Sequence, residues 1–89
     1  MDTAPAINKL LELIRKLRRE QGYNQKMFAH KAHISPTHYS ELEGYSTIDL
    51  KLSTLLKICW SLRIAPWTLL YKAWGKDIDF EKQQEIEEK

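Results

Sequence analysis

Pro36, Thr37, Ser40 and Glu41 recur at the spacing of a single helix face. Two hydroxyls and a carboxylate on such a face are hydrogen-bonding groups suited to the edges of nucleic-acid bases. A helix of this width fits the major groove of DNA, and residues near its start reach furthest in. Glu41 is the exception in this set. A carboxylate near phosphates is repelled unless it accepts a hydrogen bond from a cytosine amine.

Other groups with chemical potential are weaker. His30, His33 and His38 lie close in sequence, but no single helix presents all three, and surface histidines are the better reading than a metal site. Cys59 is the lone cysteine, so it has no internal disulfide partner and no cysteine partner for zinc; it reads as a small core residue. There is no glycine-rich phosphate loop, nucleophile elbow or paired-carboxylate arrangement. The pattern is therefore that of a non-enzyme that needs no cofactor or small-molecule substrate.

The elements that would position the reading face are all helical. Ile7, Leu10, Leu11, Ile14 and Leu17 follow the i, i+3, i+4, i+7 rule of an amphipathic helix, which Gly22 should end. Asn24 reads as the N-cap of a second helix over 25–32, with Phe28, Ala29 and Ala32 inward. Ser35-Pro36 starts a third, running to about Glu43 with Tyr39 and Leu42 inward and Gly44 at its end. A fourth, over 51–62, places Leu52, Leu55, Leu56, Cys59 and Leu62 on one side, and Pro66 opens a fifth that reaches Trp74. The expected fold is all-α: a compact five-helix bundle over residues 1–76, followed by an acidic tail or short extra helix over 77–89.

The second and third helices, joined by a three-residue turn, have the geometry of a helix-turn-helix over about 24–43. Ala29 sits where the two helices cross closely, and Ile34 plugs the turn into the core.

From Ile14 to about Leu70 the chain resembles the lambda-repressor-like, Cro-type helix-turn-helix family of DNA-binding proteins. The likeness rests on Ile14-Arg15-Lys16-Leu17-Arg18, Asn24-Gln25, Phe28-Ala29, Ile34-Ser35, Leu42-Glu43, Thr54-Leu55-Leu56-Lys57-Ile58 and Leu69-Leu70, in the family order. It implies that Gln25 holds a DNA phosphate, with Lys26, Arg19, Lys51 and Ser46 as further phosphate contacts. It implies base readout by Pro36, Thr37, Ser40 and Glu41. Arg18 and Glu43 match positions that form a buried ion pair. His33 and Arg63 stand where the family often has glycine, so a left-handed backbone is expected at both.

Charge and aromatic content complete the expectation. Residues 1–76 carry twelve Lys and Arg against six Asp and Glu, whereas 77–89 carry two against six. A basic body suits a polyanionic partner, here double-stranded DNA. The loop over 45–50 has no cation and Lys51 alone follows, which should flatten the salt dependence of binding. Trp60, Trp67, Tyr71 and Trp74 fall on helices four and five and are expected to form an exposed dimer interface; the competing arrangement has Phe80 and Ile86 folding back over them. The reading is a transcriptional regulator, repressor or controller, acting as a homodimer. The rival is a protein-interaction or antitoxin-like module with a protein partner. No apolar run approaches the ~20 residues of a membrane span, and with no signal-like start the expected compartment is the cytoplasm, at the nucleoid.

Overall fold

The computed structural model describes residues 3–44 and 49–76. They form α1 (Ala4–Glu20), α2 (Gln25–Lys31), α3 (Pro36–Gly44), α4 (Leu52–Leu62) and α5 (Pro66–Trp74), with no strand among the described residues. Ser46, Phe80 and Ile86 lie outside them.

One local device ends three of the helices. At Gly22 (φ +85°), His33 (φ +56°) and Arg63 (φ +56°) the chain turns left-handed. In each case the next N–H reaches back into the helix: Tyr23 to the Arg18 carbonyl (3.1 Å), Ile34 to Ala29 (2.9 Å) and Ile64 to Cys59 (3.1 Å). The left-handed residue also donates, to Arg19, His30 and Trp60 respectively. This is the Schellman arrangement, which satisfies otherwise orphaned carbonyls. The residue that follows is apolar in each case, and Tyr23, Ile34 and Ile64 all pack on the core. Glycine suits the position best. Arg63→Gly is therefore expected to stabilise the fold by up to about 1 kcal/mol, the left-handed penalty relieved less the extra entropy of an unfolded glycine; a thermal melt reads the gain.

Helix starts follow the sequence as directly. The Asn24 side chain accepts from the Met27 N–H (2.8 Å), and the Ser35 hydroxyl accepts from the His38 N–H (3.0 Å). α5 starts without a side-chain cap, using Pro66 in its first turn.

The core draws on every helix: Leu10, Leu11 and Ile14 of α1, Phe28 and Ala29 of α2, Tyr39 and Leu42 of α3, Ile58 and Cys59 of α4, Leu69 and Ala73 of α5. The Phe28 ring lies 5.2 Å from that of Tyr39 and 6.1 Å from that of Tyr23, centroid to centroid. Ala29 is fully buried at the α2–α3 crossing, and Ile34 is buried in the turn.

α4 is rotated from the expected setting. Its inward arc is Leu55, Ile58, Cys59 and Leu62 with Thr54 and Ser61 at the margins, while Leu52 and Leu56 are exposed. α4 packs against both α1 and α5, which centres its buried arc on Ile58 and Cys59 and leaves the other two leucines outside.

Candidate nucleic-acid interface

Pro36, Thr37, Ser40 and Glu41 are all exposed and share one shallow surface with Gly44. Nothing from the rest of the described chain covers them. α3 is thus divided lengthwise. Tyr39, Leu42 and Glu43 are buried, while the opposite side is left to solvent.

The buried side is anchored by a polar cluster. Arg18 Nε donates to Glu43 Oε2 (2.8 Å) and Arg18 Nη2 to Glu43 Oε1 (2.9 Å), a two-pronged pair. The third arm of the guanidinium, Nη1, donates to the Tyr23 carbonyl. Arg18 therefore ties the end of α1, the approach to α2 and the last turn of α3 to a single point. Both side chains are almost wholly out of solvent, at 5% and 2% exposure. Burial disfavours the Glu43 carboxylate, but its hydrogen bonds, Arg18's foremost, outweigh this and hold it below the usual carboxylate range. The Glu43 hydrogen bond raises Arg18 further above its ordinary value, against the effect of burial. Tyr39 lies in the same cluster, and burial first, then the adjacent Glu43 carboxylate, pushes its phenol far up.

Two members of this cluster were not legible in the sequence. Arg15 Nη2 donates to the Glu43 backbone carbonyl (3.1 Å), capping the end of α3. Its spacing from Arg18, one helical turn, was the available signal. Gln25 Nε2 donates to Glu43 Oε1 (3.1 Å), so the side chain expected to hold a phosphate is also oriented by the ion pair. Gln25 remains exposed at the first position of α2, where backbone N–H groups are free of helical partners.

The structure separates the other expected phosphate contacts. Lys26 is exposed beside Gln25, and Lys51 is exposed at the start of α4. Arg19 lies on the outer side of α1, in a hollow shared with Glu12, Arg15, Lys16 and Glu20. Its mixed-charge surroundings weaken its pull on phosphate. His30, His33 and His38 are exposed on α2, in the turn and on α3.

The expected aromatic surface needs one correction. Trp60, Trp67 and Tyr71 are 85%, 75% and 74% exposed. Trp74 is not part of that surface: it is half-buried against the core, and its indole Nε1 donates to the Ala6 carbonyl at 2.8 Å. An indole N–H takes a partner when it is buried, and here the start of α1 supplies one.

A short helix seated on the core, a left-handed turn and a second helix with an uncovered polar face define the helix-turn-helix class of DNA-binding regulators. The family model for helix-turn-helix matches residues 14–59. The chain belongs to this family, in its lambda-repressor-like, Cro-type form, a family of DNA-binding transcriptional regulators. Among solved structures it is similar to the clp gene regulator ClgR from C. glutamicum, with a TM-score of 0.69 and 23% identity over 82% of this chain and 94% of that one. At that identity the likeness is one of fold. No curated protein matches the sequence. No described helix is long and apolar enough to cross a membrane.

Proposed function

We propose that the chain is a sequence-specific regulator of transcription, a repressor or controller, that reads the major groove with α3 as a homodimer. The observation carrying this reading is the uncovered polar face Pro36, Thr37, Ser40 and Glu41 on a helix whose other side is clamped by Arg18 and Glu43. In this reading Thr37, Ser40 and Glu41 meet base edges, and Pro36 packs against them. Gln25, held by Glu43, binds a phosphate at the start of α2, with Lys26, Lys51 and Ser46 adding backbone contacts and Arg19 a more distant one. The dimer forms through Trp67 and Tyr71, one turn apart on α5 and both exposed. Two copies then present their third helices to half-sites ~34 Å apart.

Titration of random duplex DNA, and then of the DNA upstream of its own coding sequence, at low and moderate salt tests the reading. Tight binding to the upstream duplex alone is expected. Lys26→Ala should weaken binding evenly across sequences and lower the salt slope by about 1. Thr37→Ala should instead relax preference at one base position, at a cost of about 1–3 kcal/mol. Absence of binding to either duplex at low salt would sink the regulator and favour a protein-interaction or antitoxin-like role. A monomer in light scattering, both free and on DNA, would remove the dimer.

A further inference from the structure

α4 carries a second apolar surface that neither the core nor the reading face uses. Leu52, Leu56 and Trp60 recur every fourth residue along it and are 69%, 46% and 85% exposed. The stripe runs into a cleft of about 570 Å³ between the end of α4 and the start of α5, walled by Leu56, Trp60, Arg63, Ile64 and Pro66. Contiguous exposed apolar area of this kind on a small domain marks a contact surface.

Charge narrows what can occupy it. From Leu50 to Lys76 the ionisable side chains with carboxylate or cationic character are Lys51, Lys57, Arg63, Lys72 and Lys76, all cationic. A second copy of the same cleft would bring Arg63 against its own counterpart. The complementary sequence lies immediately downstream. Residues 77–89 hold six carboxylates against two lysines, with Ile78, Phe80 and Ile86 among them.

Reach is sufficient. The α5 wall of the cleft is Pro66; the helix ends at Trp74 and the described chain runs on to Lys76, at most about 15 Å from Pro66 at ~1.5 Å per helical residue. An extended chain spans up to ~3.3–3.6 Å per residue, so four residues and the length of a phenylalanine side chain return Phe80 to the cleft.

We propose that the acidic segment Asp77–Glu81 docks within the same chain on the α4–α5 cleft, with Ile78 and Phe80 as its apolar anchors. Arg63, which lines the cleft, favours its carboxylates. Trp60 then belongs to this contact and not to the dimer, and the surface on Trp67 and Tyr71 stays separate.

Amide and indole NMR spectra of the full chain test the proposal. Ile78→Ser/Phe80→Ser should shift the Trp60 indole and the Arg63, Ile64 and Ala65 amides while leaving α1 to α3 unmoved, equally at tenfold dilution. Trp60→Ser, which removes no core contact, should reciprocally shift the Ile78 to Glu81 amides. Identical cleft resonances with and without the tail substitutions would overturn the docking. Shifts that vanish on dilution would overturn the intrachain form and assign the cleft to the tail of a second copy.

Discussion

Glu43→Ala is expected to lose about 3–5 kcal/mol of stability, because it leaves the Arg18 guanidinium buried without its counter-charge. In a domain of this size that lowers the melting temperature by roughly 12–40 °C. The loss is concentrated where three segments meet. Arg18 bonds the Glu43 carboxylate twice and the Tyr23 carbonyl once. Gln25 shares the same carboxylate, so the variant should also lose the preset orientation of that amide. Replacing both partners by apolar residues of similar volume, Arg18→Met with Glu43→Leu, should recover most of the stability, since the penalty comes mainly from the uncompensated charge. Chemical denaturation of the two variants beside the parent checks both statements.

The same pair sets an acid limit. The carboxyl pKa of Glu43 is lower in the folded chain than in the unfolded one. Its contribution is therefore fully present above the ordinary carboxylate pKa and is lost as pH falls through the depressed folded value. Stability should decline on acidification below about pH 4–5. Glu43→Gln should flatten that part of the curve, and equal slopes for parent and variant would refute the assignment. Arg18 is shifted upward, so its contribution persists through neutral pH and weakens only in strong alkali.

Phe28→Ala is the second large effect, about 3–5 kcal/mol from lost burial and the cavity left behind. Phe28 is wholly buried and joins Tyr23 and Tyr39 in one aromatic group, and so holds α2 to α3. Urea unfolding should show the midpoint falling with little change in slope. DNA affinity should fall with the folded fraction. Thr37→Ala makes the useful contrast: the residue is exposed, so it should alter base preference and leave the midpoint in place. An unchanged midpoint for Phe28→Ala would show that this ring is not what holds α2 to α3.

The helices and their limits were readable because local chemistry decides them. Asn24 and Ser35 cap their own helices through bonds three residues long in sequence. Gly22, His33 and Arg63 end theirs through contacts within six residues. Such interactions need nothing from the rest of the fold. The Arg18–Glu43 pairing was recognised through family resemblance rather than from local pattern, as its partners are 25 positions apart.

Matters that depend on which helix lies against which could not be read in the same way. α4 is apolar on more than one side, so two inward stripes were open to it; packing against α1 and α5 selected Ile58 and Cys59 and left Leu52 and Leu56 outside. Trp74 shares the seven-residue spacing of Trp60 and Trp67, yet α1 supplies a carbonyl at Ala6, 68 positions away, and draws it in. Arg15 and Gln25 likewise gained roles when α3 brought Glu43 between them.

The limits of the helix-turn-helix were determined by the sequence alone: its two caps and its left-handed turn at His33 are local requirements, whereas Ala29 is small because α2 and α3 cross there. Tertiary structure alone decided how firmly the reading helix is held and what else that anchor orients. A buried carboxylate with several donors exists only once α1, α2 and α3 converge on it.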